Sequence, residues 1–96
     1  MVNLNKIAEK NYHLGKNHLS ESSKAARYFL VSWAIARQTG NQDIVDLCNY
    51  EMSRIIEENQ IPIEEQVRMY KHAINTKDLI LRLVSFPETA ETIAFE

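Results

Sequence analysis

The chain of 96 residues has little of what punctuates a β-fold: two glycines, two prolines and a single cysteine. Sheets built from many short strands need turn residues at each reversal, and these are not there. Helix is the expected state. With one cysteine, Cys48, no internal disulfide forms. No apolar run approaches the ~18–20 residues of a membrane span. The start, MVNLNKIAEKN, lacks the basic opening and apolar stretch of a signal peptide. The expected setting is cytoplasmic, with no membrane partner. No glycine-rich phosphate loop is present either.

What is present is an ordinary globular balance, 45% apolar and 25% charged. Net charge is −2, but it is unevenly spread. Residues 1–40 carry six Lys and Arg against two acids, a net of +4. Residues 41–96 carry five against eleven, a net of −6. Opposed halves attract, either within one fold or between chains.

Residues 20–40 (SESSKAARYFLVSWAIARQTG) are the most apolar stretch and hold the only tryptophan, Trp33. Ala26, Phe29, Leu30, Trp33, Ala34 and Ala36 make a broad face, widened by Ala25, Tyr28, Val31 and Ile35. A helix apolar on so much of its surface is covered from more than one side. Its aromatic excess predicts that part of the face meets helix three and part meets another chain. Ser20, Ser22 and Ser23 offer side-chain oxygens to its first amides, and Gly40 offers a left-handed stop.

The other helices are placed by the same signals. Asn3 or Asn5 caps a first helix reaching to about residue 18. Asn11 interrupts its stripe, and Gly15 either ends it or permits a close neighbour. Asn41 caps helix three, 42–59, along the stripe Ile44, Leu47, Cys48, Met52, Ile55 and Ile56. Pro62 opens helix four, 62–85. Its apolar face runs Ile63, Val67, Tyr70, Ile74, Leu81 and Val84, with a break at Lys77 and a second cap available at Thr76. A short or frayed tail, 86–96, follows. The fold expected is all-α, with four to five helices in two antiparallel hairpins over a single domain spanning 1–96.

The hairpins are weakly self-similar. Tyr12-His13-Leu14-Gly15 aligns with Tyr50-Glu51-Met52-Ser53, and Trp33-Ala34-Ile35 with His72-Ala73-Ile74. Through Leu14-Gly15, Ala26, Ala34, Gly40-Asn41, Met52-Ser53 and Ala73, residues 8–80 resemble a pair of tetratricopeptide-type repeats. The run AIARQTGNQDIVDLCNYEM looks like the repeats of bacterial peptide-sensing regulators. The resemblance implies a protein or peptide partner, held on the first helix of each pair by Tyr12, Lys16, Tyr50 and Arg54. The tyrosines would supply apolar area with a hydroxyl, and the bases would take a carboxylate. Two such units are few, and a homodimer would supply further surface. The alternative to a repeat is a plain four-helix bundle, in which Tyr50 is core and Lys16 a solvated charge.

Chemistry of other kinds finds no footing. His13 and His18 diverge by about 140° around a helix, so no metal site is expected. Cys48 lies on an apolar stripe and reads as inert core. Adjacent acids such as Glu57-Glu58 point apart and form no catalytic dyad. No cofactor and no enzymatic activity are expected. A helix-turn-helix over residues 35–46 would set Asp43 and Asp46 against phosphates. Three functions stay open. The first is a protein-interaction module or regulator. The second is an inhibitor or immunity-type protein blocking a basic site with the acids between Asp43 and Glu65. The third, less favoured, is a nucleic-acid-associated protein using the basic N-terminal part.

Overall fold

The computed structural model describes residues 3–82. Among them stand four helices and no strand: α1 Leu4–Asn17, α2 Ser22–Thr39, α3 Gln42–Asn59 and α4 Ile63–Arg82. The helix starts expected from the sequence, and the ends of the first three helices, fall close to these; the expected end of helix four at 85 and the tail 86–96 lie outside the described residues. α2 is the hub. α1, α3 and α4 each pack on it, while α3 and α4 scarcely touch each other.

The caps explain the ends. The Asn3 side chain accepts from Lys6 N at 3.2 Å, and Asn41 accepts from Ile44 N at 3.2 Å. Gly40 closes α2 in the left-handed region at φ 76°, where a side chain would be strained. Gln60 closes α3 in the same region at φ 51° without being glycine. α4 begins after Pro62 and runs through Asn75-Thr76 unbroken, so Thr76 caps nothing; its hydroxyl donates back to the His72 carbonyl at 2.9 Å. One expectation fails at the start of α2. Glu21, not a serine, holds the cap position, and no side chain caps it. The turn after α1 is tight, with Glu21 N donating to the His18 carbonyl at 2.9 Å, which leaves Ser20 outside the cap and Ser22 and Ser23 inside the helix.

The core forms two apolar clusters along α2. One joins Ile7 and Ala8 of α1 to Val31, Ile35 and Ala36 of α2 and Val45 of α3. The other joins Ala26, Phe29 and Leu30 of α2 to Cys48, Met52 and Ile55 of α3 and Ala73 of α4. Gly15 is buried where α1 meets the Phe29 ring, so it serves a close approach and does not end the helix. Asn11, which breaks the apolar stripe of α1, is fully buried; its Nδ2 donates to the Ile7 carbonyl at 2.8 Å, while its Oδ1 has no partner. Ser32 is also buried and donates to the Ala8 carbonyl across the α1–α2 contact at 2.6 Å.

Helices three and four depart from their expected stripes. Leu47 of α3 is exposed, and Val45 takes the inward place. In α4 the described part of the expected stripe faces out, with Ile63 64% exposed, Val67 47% and Ile74 38%, while the side chains of Leu81 and Val84 lie outside the described residues. Among the described side chains of α4, Ala73 is the one turned fully inward. A small side chain there lets α4 lie close on the alanine-rich surface of α2, and closeness of fit outweighs the count of apolar atoms.

Candidate functional site

The second hairpin lies beside the first in a shifted register. Asn41 Nδ2 donates to Asn5 Oδ1 at 2.7 Å across 36 residues, and Lys16 Nζ to Glu51 Oε1 at 3.1 Å across 35. The Trp33 and Tyr70 rings, 37 apart in sequence, meet edge-on at 4.9 Å. Thus α1 neighbours α3 and α2 neighbours α4.

Of the four residues singled out in the sequence, two are committed within the chain. Tyr12 is half-buried, its ring 5.8 Å from Phe29 and 5.5 Å from His13. Lys16 is more than a solvated charge: its side chain stays 40% exposed, but its ammonium holds the Glu51 carboxylate, whose side chain is only 5% exposed. A carboxylate so buried needs this partner. The contact also ties the basic first part of the chain to the acidic second part. Tyr50 and Arg54 stand outward on α3. Tyr50 is 60% exposed and is not core. The Arg54 guanidinium lies 5.9 Å from the Tyr50 ring centre and 3.8 Å from Glu58. The structure therefore brings Lys16 to α3 but does not join the four into one surface.

A more coherent feature lies between α2 and α4, a groove of about 550 Å³. Ala26 and Leu30 from α2, Ile55 from α3, and Met69 and Ala73 from α4 give it an apolar floor. Ser23, Arg27, Asn59, Glu65, Arg68 and His72 stand at its edges. The groove exists because α3 and α4 separate after the Gln60–Pro62 turn and scarcely touch each other as they run along α2. Its polar edge is partly tied down: Arg68 pairs with Glu65 at 2.7 Å, and Asn59 donates to Ser22 Oγ at 3.3 Å and to the Ile55 carbonyl at 2.8 Å. An apolar floor with a polar rim suits a side-chain row of a partner.

Sequence reasoning placed Ala26, Leu30 and Ile55 on apolar faces and His72 and Ala73 in the repeat alignment, but did not bring them together as a groove. Met69, His72 and Ala73 sit on the poorer stripe of α4, and only the run of small residues facing each other, Ala26 and Ala73, signals a close helix crossing. The sequence reading expects part of the α2 face to meet helix three and part to meet another chain, with Trp33 in the core. Trp33 is half-buried, bridges both core clusters, and touches Tyr70 of α4 and the Arg37 guanidinium at 4.8 Å.

Cys48 is fully buried. Burial pushes its thiol from 9.0 up to about 11, the Ser32 hydroxyl pulling it down and the Glu51 charge pushing it further up. Such a thiol is a poor nucleophile at neutral pH. Burial also raises the Tyr70 phenol, with a smaller contribution from Cys48. Among the described residues no group of three or more His, Cys, Asp or Glu side chains is placed to hold a metal ion. No helix among them is long and apolar enough to cross a membrane. Comparison with family models, curated proteins and solved structures gives no match for this chain.

Proposed function

We propose that the chain is a small protein-interaction module that receives an amphipathic helix of a partner protein in the groove between α2 and α4. The observation that carries this reading is the groove itself, apolar at its floor and polar at its rim. Its α2 wall runs from Ser22 to Val31, about 14 Å at 1.5 Å per residue. That length takes anchors at i, i+3 or i+4, and i+7 of a docked helix, the usual spacing for helix-in-groove recognition. The shifted register of the two hairpins is in keeping with repeat-like stacking, in which neighbouring hairpins leave such surfaces for partners. The proposed setting is the cytoplasm, consistent with a lone cysteine. No catalytic step belongs to this reading.

The acidic-inhibitor alternative has less to draw on. Of the acids between Asp43 and Glu65, Glu51, Glu58 and Glu65 are already paired with Lys16, Arg54 and Arg68.

The test is capture from the native cell by the wild-type chain and by three variants. Ser23→Trp and His72→Trp fill the groove from exposed rim positions and should keep the far-ultraviolet circular dichroism of the parent. Tyr50→Ala serves as a control outside the groove. A partner that is lost with both tryptophan variants, retained with Tyr50→Ala and little affected by salt supports the groove. Unchanged capture by both tryptophan variants refutes it.

A further inference from the structure

We infer that α4 is a self-association seam, and that two copies of this chain pair through it in an antiparallel, two-fold arrangement. The outward stripe of α4 is the starting point. Ile63, Val67, Tyr70 and Ile74 are spaced four, three and four residues apart, which is the d, a, d, a pattern of a coiled-coil heptad. Three of the four are exposed, and Tyr70 is half-buried with its ring edge against Trp33. Exposed leucines or isoleucines scattered singly are normal on a protein surface; a row along three turns of one helix is not.

The charges say what covers it. Glu64 and Lys71 are exposed and occupy the same heptad position, one on each side of the seam's centre. Among the described residues neither has an ion pair or hydrogen bond through its side chain. A two-fold axis between residues 68 and 69 sets Ile63 of one copy on Ile74 of the other, and Val67 on Tyr70. The same axis brings Glu64 of each copy beside Lys71 of the other, giving two matched pairs. A parallel pair would place Lys71 beside Gln66 and Asp78 beside Ala73, with no match, so the charge pattern selects the antiparallel arrangement.

The seam and the groove use different sides of α4. Glu65, Arg68, Met69 and His72 face the groove, and Ile63, Val67, Tyr70 and Ile74 do not. The two readings therefore fail or survive separately. Four side chains from each copy are few for the ~1,200 Å² of a standard stable interface, so the dimer should be reversible and concentration-dependent.

Sedimentation over a concentration series gives the first reading, and a mass that stays monomeric throughout overturns the proposal. Cysteine pairing tests the register. Ile63→Cys mixed with Ile74→Cys should form a disulfide between the two variants, while neither alone should self-link; Cys48 is buried and should not compete. Self-linking of Ile63→Cys would show a parallel pair and overturn the arrangement. Finally, Glu64→Lys or Lys71→Glu alone should weaken association about tenfold, by making two like-charge pairs in place of two opposite ones. The double variant in one chain should restore it. Association unchanged in both single variants removes the charge argument and with it the proposal.

Discussion

Gly15 gives the sharpest test of how the helices meet. A Cβ added there would lie 2.6 Å from Phe29 Cε1, 2.7 Å from Cδ1 and 2.9 Å from Cζ. Carbon atoms in contact rest about 3.5–4.0 Å apart. The ring has nowhere to go, because Phe29 is fully buried among Ala25, Met52 and Ile55 with Tyr12 against it. Two effects then oppose each other in Gly15→Ala. Alanine is worth about 1 kcal/mol over glycine inside a helix. Overpacking a filled core costs about 1–3 kcal/mol. The clash should win, leaving a net loss of about 1 kcal/mol and a midpoint lower by roughly 4–8 °C for a domain of this size. Phe29→Leu removes Cε1 and Cζ and lets the branch turn aside. In that background Gly15→Ala should change sign and stabilise by about 1 kcal/mol, so that the two sites couple strongly. Urea unfolding followed by circular dichroism measures all four corners of the cycle. If Gly15→Ala alone stabilises the protein, α1 does not rest on Phe29 and the account of the α1–α2 contact is wrong.

Other expectations follow from single contacts. Trp33→Ala should lose about 2 kcal/mol, below the ~3–5 kcal/mol of a fully buried tryptophan, because the ring is half-buried on Tyr70 and Arg37; thermal unfolding reads it. Lys16→Met should cost about 1–3 kcal/mol by leaving a buried carboxylate unpaired, and should cost more than Glu51→Gln, which removes the charge that needs the partner. Asn41→Ala should cost about 1–2 kcal/mol, since it removes both the α3 cap and the bond to Asn5. Cys48 sets an alkaline limit, as its thiol is raised from 9.0 to about 11 in the folded chain. Below the lower value both states keep the proton; between the two only the unfolded chain ionises, so stability falls as pH rises, by at most about 1.4 kcal/mol per pH unit. Cys48→Ala should flatten that part of a stability-versus-pH curve, and an unchanged slope would refute the assignment.

Much of this was legible because the signals were local. Asn41 after Gly40, and Pro62 before Glu64 and Glu65, mark helix ends through backbone groups only a few residues away, and the structure has α3 and α4 beginning there. The broad apolar surface of residues 20–40 correctly implied cover from several sides, and three helices supply it. The serines before α2 misled because a cap depends on one residue's place, which the tight turn after His18 shifts to Glu21. Lys16 and Glu51 were each readable as solvated charges; that they meet depends on the pairing of α1 with α3, which no local pattern encodes. The groove was illegible for the same reason. It is made by what α3 and α4 do not do, namely close on each other.

The stripe on α4 shows where periodicity stops being informative. A helix presents an apolar row every 3.5–3.6 residues whether the row faces its own core or another copy, so period alone cannot assign its direction. Two other marks do. The inward row of α4 carries Met69 and Ala73, where a small residue lets α2 approach. The outward row is flanked by Glu64 and Lys71, opposite charges one heptad apart at the same position. A row that only ever faces its own core gains nothing from such a pair, since residues seven apart on one helix are too distant to bond each other. In the antiparallel pair proposed above they would become neighbours, each acid reaching the other copy's base. On that proposal, charge at matched heptad positions, more than hydrophobicity, is what would separate a seam from a core stripe.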